Sequence, residues 1–188
     1  MYKIFLLFIL LSTYSIAQDN LPRDENGKIV FEEIVKVDSM PASLLLKNAK
    51  AWVLKSYVQS EKSIKFDSNS ASAKGLFLVY TKGGISKEIH GAIRYNVTIK
   101  VKNNKYQYRF SDFVFEYYKI NRNYQYVPTG QEKPLEVEKF PGWDPAWKNH
   151  KRETYSRINN HIQSLKSDMG KRSKIEQKKE NIGKKEEW

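Results

Sequence analysis

Apolar and polar residues alternate most strictly on either side of Asn103-Asn104. Ile93, Tyr95, Val97, Ile99 and Val101 alternate with Arg94, Asn96, Thr98 and Lys100; beyond the asparagines, Tyr106, Tyr108 and Phe110 alternate with Gln107 and Arg109. A period of two predicts strands with one buried and one wet face. Asn tolerates positive φ, so Asn103-Asn104 suits a two-residue hairpin turn. That register sets Val101 against Tyr106, Ile99 against Tyr108 and Val97 against Phe110, and a slip of one residue would mix the faces. After Phe110 the apolar residues are Phe113, Phe115 and Tyr117, so the parity changes. A β-bulge near Ser111-Asp112 restores it, with Phe113 opposite Tyr95 and Phe115 opposite Ile93.

The other elements are read the same way. Ile29–Val37 is rich in β-branched residues and predicts a strand. Ser39 is the expected N-cap of a helix with Pro41 near its first position. Leu45, Leu46, Ala49, Trp52, Val53 and Tyr57 form its apolar stripe. Ser63–Asp67 and Ser72–Thr81 predict two more strands, and Gly83-Gly84 punctuates a loop. Residues 118–146 carry Pro128, Pro134, Pro141 and Pro145. They are expected to form a long irregular loop with a short edge strand at Tyr124–Val127. Asp144 is the expected cap of a last helix with Pro145 at its first position. Trp147, Tyr155, Ile158, Ile162, Leu165 and Met169 share one face of it, and Gly170 ends it.

The order strand, helix, four strands, helix predicts an α+β fold, β-α-β-β-β-β-α, with an antiparallel sheet of about five strands. Leu21-Pro22-Arg23-Asp24-Glu25-Asn26-Gly27-Lys28-Ile29-Val30-Phe31-Glu32-Glu33 resembles the opening of an uncharacterised family of exported bacterial domains with a TBP-like fold, the half-saddle of TATA-binding protein. Tyr106-Gln107-Tyr108-Arg109-Phe110-Ser111-Asp112-Phe113 is similar to that family's strand motif. The resemblance spans about Asn26 to Phe115. It implies two helices on one face of the sheet and an exported bacterial setting, and it brings no functional residues.

The first residues add an address. One cation, Lys3, precedes an apolar run from Ile4 to Leu11 and a small-x-small site at Ser15 and Ala17. Residues 1–17 therefore read as a signal peptide cut between Ala17 and Gln18, leaving an exported, periplasmic or extracellular chain. The apolar run is well short of the roughly 20 residues that span a bilayer. The expected organisation is a flexible leader over 18–27, a domain over 28–169 and a disordered Lys/Glu tail over 170–188.

Composition then limits the chemistry. There is no cysteine, which excludes disulfides, thiolate metal sites and cysteine nucleophiles. The net charge is +12, and residues 18–168 alone carry 25 basic against 17 acidic groups. Outside the cytoplasm such a bias suits an anionic envelope polymer or another exported protein, and no nucleic-acid partner is expected. His90, His150 and His161 show no metal-ligand spacing, so no metal or cofactor is expected and all three are read as structural or solvated. No serine stands in a nucleophile elbow. Glu32-Glu33 on a strand point to opposite faces and make no acid–base pair. Asp112, beside the bulge, is the best single candidate for chemistry, with local backbone bonding as the plainer role. Trp143 and Trp147 suit either stacking on a sugar or locking a loop onto the sheet.

The chain is thus read as an exported, non-catalytic binding or structural module of the cell envelope rather than an enzyme. The alternative is a hydrolase with its site between residues 118–146 and the sheet. The candidate ligand residues are Arg94, Lys100 and Arg109, a cationic row on the hairpin's wet face that carries no carboxylate of its own.

Overall fold

A computed structural model describes residues 21–81 and 88–171. In chain order they form β1 (Phe31–Lys36), α1 (Ala42–Ser56), a short 3-10 segment (Val58–Ser63), β2 (Lys65–Phe66), β3 (Ser70–Thr81), β4 (Glu88–Lys102), β5 (Lys105–Ile120), β6 (Tyr126–Pro134) and α2 (Asp144–Met169). The strands make one antiparallel sheet in the order β1-β5-β4-β3-β2, and β6 pairs with β5 past the end of β1. Both helices pack on one face. Trp52 of α1 meets His161 of α2, His161 meets Tyr95 of β4, and Trp147 of α2 meets Phe115 of β5. This is the α+β layer arrangement expected from the sequence. The expected signal peptide with its cleavage site, the Gly83-Gly84 loop and the tail beyond Lys171 lie outside the described residues.

The β4–β5 hairpin has the expected register, with Val97 opposite Phe110, Ile99 opposite Tyr108 and Val101 opposite Tyr106. The ladder shifts between Arg94 and Asn96, and Asp112 takes a φ of 57°. The bulge returns Phe115 to Ile93 and stacks Phe113 on the Tyr95 ring, their centroids 5.6 Å apart. A second bulge lies between β3 and β4: Val79 faces Gly91 and Tyr80 faces Ile89, which leaves His90 as the extra residue.

Four expectations are corrected. Ser39 does not cap α1. It sits at φ 55°, and the helix begins after Pro41 without a side-chain cap of its own. The hairpin turn supplies the acceptors instead. Met40 N–H donates to Asn104 Oδ1 at 3.1 Å and Ala42 N–H to Asn103 Oδ1 at 2.9 Å. Asp144 lies inside the first turn of α2, not before it, and its Oδ1 accepts the Phe140 N–H at 2.6 Å. Tyr155 is 50% exposed, and the buried stripe of α2 runs instead through His150 and Thr154. The Thr154 hydroxyl can be buried because it donates to the His150 carbonyl one turn back at 2.8 Å.

The fourth concerns the expected loops. Within 118–146, β5 continues to Ile120 and β6 occupies Tyr126–Pro134. Pro128 and Pro134 are tolerated there because an edge strand needs ladder donors on one side only. The leader expected to be flexible is folded from Leu21 onward. Leu21 is buried, and Asp24 Oδ1 accepts the N–H groups of Asn26 and Lys28 in an Asx-type turn.

Candidate binding surface

Because β4 and β5 alternate, every second side chain leaves the helix-covered face and joins the open one. Arg94, Asn96, Thr98 and Lys100 project from β4, with Gln107, Arg109 and Ser111 opposite them on β5. Ser70, Ser72, Lys74 and Leu76 continue these rows on β3, and Glu32 and Ile34 continue them on β1. Arg94, Lys100 and Arg109 therefore do share one face.

The face is not the carboxylate-free row expected from the hairpin alone. Arg94 pairs with Glu132 of β6, and its Nε lies 3.6 Å from Glu116 of β5. Arg109 pairs with Glu32 of β1, and its Nη2 lies 3.6 Å from Asp24. Glu32, Asp24 and Glu132 come from segments whose pairing with the hairpin the local pattern does not reveal. Glu32 also accepts from Gln107. Glu33 points to the opposite face, where Lys166 Nζ lies 2.6 Å away and Tyr108 donates to it at 2.7 Å. The neighbouring ammonium, and then the phenol, hold the Glu33 carboxyl below the usual carboxylate range. Asp112 serves the bulge: its Oδ2 accepts from Asn96 at 2.8 Å and from Ser111 at 2.9 Å.

Cationic side chains of a different kind gather at the turn end of the face. Register sets Lys36 opposite Lys105 and Lys105 opposite Lys102. A groove of about 410 Å³ lies there, lined among others by Ile34, Asn69, Lys100, Lys102, Lys105 and Gln107. Of these lysines the sequence reading named only Lys100. Lys102 and Lys105 were legible as the residues flanking Asn103-Asn104. Lys36 needed the β1–β5 pairing.

The other cluster that sequence reasoning missed is a histidine pair behind the sheet. The bulge at His90 turns its ring toward α2, where His90 Nδ1 lies 2.8 Å from His150 Nε2. The rings are sheathed by aromatics. His150 stacks on Phe115, and His90 lies 4.6 Å from Trp143 by ring centroids. Burial, reinforced by the neighbouring His90, pushes His150 down to about 4, and burial lowers His90 as well. Both rings are therefore neutral near pH 7, one donating and the other accepting. His150 Nδ1 is buried without a hydrogen-bond partner. Trp147 is buried and donates to the Val137 carbonyl at 2.7 Å, so it locks the preceding loop onto the sheet. Among the described residues no three metal-ligating side chains converge, and no helix is long and apolar enough to cross a membrane.

The half-open sheet with paired helices behind it agrees with what the chain is similar to. Residues 31–116 match the family model of a domain of unknown function with a TBP-like fold, DUF4468. The match begins at β1 and ends in β5, so it spans the hairpin and the sheet around it. Two crystal structures share the fold. One is a TBP-like protein from Parabacteroides distasonis, 18% identical, with a TM-score of 0.61 over 81% of this chain and 99% of that one. The other is a DUF4468 family protein from Bacteroides ovatus, 11% identical, with a TM-score of 0.55 over 84% of this chain and 94% of that one. No curated protein matches the chain. At these identities the likeness concerns the fold, and a shared fold assigns no activity.

Proposed function

We propose that the chain is an exported, non-catalytic binding module of the bacterial cell envelope, and that it meets its partner through the open face of the sheet. The observation that carries this reading is a sheet face left uncovered by both helices, with its polar groups held in fixed register and an excess of cations at one end. A twisted sheet presents such side chains on a rigid frame, which lowers the ordering cost of recognition. The net positive charge favours an anionic partner.

Two experiments test it. Mass spectrometry of the mature protein is expected to find its N-terminus at Gln18, and an intact Met1 would end the export claim. Retention of envelope components by the immobilised protein is expected to fall by about tenfold when Thr98→Trp places bulk in the middle of the open face. Equal retention by both proteins would remove that face from consideration.

One observation favours the hydrolase alternative: the His90–His150 pair lies where residues 137–147 meet the sheet. Among the described residues neither ring is hydrogen-bonded to a hydroxyl or a carboxylate, so a triad geometry is not formed there. The alternative requires His150→Gln to abolish ester or glycoside turnover, and the binding reading requires no such turnover in either protein.

A further inference from the structure

The arginines of the open face are met by carboxylates of the same chain, and its turn-end lysines are not. Among the described residues Lys36, Lys100, Lys102 and Lys105 form no ion pair. Yet Lys36, Lys105 and Lys102 stand directly across from one another on adjacent strands, and Lys100 lies two residues along β4. Like charges placed opposite each other in a sheet are destabilising. Folding concentrates them nonetheless, beside a groove of about 410 Å³, the size of a small-ligand site.

We infer that this groove binds one strand of an acidic glycan, a polymer bearing both carboxylates and hydroxyls. The inference rests on the open face being the binding surface and names the site and ligand class within it. Charge complementarity is the first reason: Lys36, Lys105 and Lys102 stand across from one another on three adjacent strands whose backbones run about 5 Å apart, with Lys100 two residues along β4, so successive anionic groups of one polymer can each meet a cation. Lysine suits such a ligand because its ammonium swivels on a flexible stem and demands no fixed bidentate geometry.

The remaining lining narrows the class from any polyanion to a hydroxylated one. Gln107 donates its amide N–H to Glu32, which leaves its carbonyl oxygen as an acceptor at the groove. The Asn69 side-chain amide, without a partner among the described residues, can both donate and accept. Acceptors of this kind match sugar hydroxyls, whereas a fully ionised phosphate chain has no proton to offer them. Ile34, 62% exposed at the same groove, offers an apolar surface for the C–H face of a sugar ring. A concave groove also fits a single chain better than the flat array of headgroups on a bilayer.

The test is calorimetric titration of the purified full chain with polygalacturonate, dextran and sodium polyphosphate at low and at high salt. Polygalacturonate is expected to bind, to lose affinity steeply as salt rises, and to outcompete polyphosphate; dextran is expected not to bind. Lys102→Gln/Lys105→Gln is expected to weaken polygalacturonate by about tenfold. Its melting temperature should stay level or rise, since a like-charge pair has been relieved. Ile34→Ser keeps every charge and is expected to weaken binding severalfold with an unchanged salt dependence. Absence of polygalacturonate binding, equal binding by the lysine variant, or polyphosphate binding as tightly as polygalacturonate would each overturn the proposal. The envelope-retention experiment separates the two levels. If the lysine variant is retained as well as the unmodified chain while Thr98→Trp is not, the open face stands and the lysine groove falls. If neither variant is impaired, both fall.

Discussion

Gly91 and the histidine beside it show how single residues set the shape of the sheet. A Cβ at Gly91 would overlap the Glu116 carbonyl oxygen and the Phe115 ring, so only glycine lets β4 and β5 approach there. Gly91→Ala is therefore expected to destabilise the fold by about 1–3 kcal/mol, read as a lower denaturant midpoint, because a backbone atom must move. The adjacent His90 and its partner His150 predict a pH response. His150 is lowered to about 4 by burial and then by His90, so between its unfolded value near 6.5 and its folded value the unfolded chain binds more protons. Stability is thus fully present above about pH 6.5 and is lost as pH falls toward 4, His150 accounting for about 3 kcal/mol of the loss. Urea midpoints measured across that range should show the loss, and His150→Phe should reduce it, the remainder coming from His90 and His161, which burial also lowers. A midpoint constant from pH 7 to 4 in the unmodified chain would contradict the buried neutral pair.

At the scale of elements, the hairpin turn does two jobs. Asn104 takes the positive φ, at 61°, and the side-chain oxygens of both asparagines accept N–H groups at the start of α1. Asn104 also donates its own N–H to the Met40 carbonyl, and its carbonyl accepts the Val37 N–H, each at 2.9 Å. Turn, strand and helix start are one hydrogen-bonded unit. Asn103→Ala should cost about 1 kcal/mol from the lost cap on Ala42, and Asn104→Ala about 1–2 kcal/mol from the lost Met40 bond and the strained φ together, whereas Ser39→Ala should cost almost nothing. Thermal melts of Asn103→Ala and Ser39→Ala decide between a remote and a local cap. The period-two pattern made the hairpin legible to the residue, because a register slip would bury Arg94, Thr98 and Lys100. The cap was misread because Ser39 satisfies every local rule for the role, and the competing acceptors lie more than sixty residues away in the chain.

For the whole molecule, the order of opening follows from the sheet. The centre of β4 and β5 is paired on both sides and covered by the apolar faces of both helices, whereas β2 is two residues long and β6 is an edge strand. Amide exchange is expected to be slowest at Val97–Val101 and Tyr106–Phe110 and fastest at Lys65–Phe66 and Tyr126–Pro134. The β1 edge is tied to α2 through Glu33 and Lys166. Glu33→Gln should speed exchange across Phe31–Lys36 and leave the centre unchanged. Uniform exchange across all strands would contradict this gradient.

The sequence by itself determined the hairpin, its first bulge and both helices, because each rests on a short-range period of two or near 3.6 and on burial of one face, while the placing of both helices on one face of the sheet was implied by the family resemblance. It also placed Glu32 and Glu33 on opposite faces, a consequence of strand geometry alone. Only the tertiary structure decided what those faces mean. Asp24, Glu32 and Glu132 reach the arginines of the hairpin from segments 38 to 85 residues away in sequence, and Lys36 completes the lysine row from a strand that precedes the first helix. The same holds for His90 and His150, sixty residues apart and joined by a bulge whose partner strand had to be known. A periodic pattern reports which side of an element is buried, since that is a property of neighbouring residues. Which charge meets which depends on strand order, and strand order is settled by the packing of the whole chain.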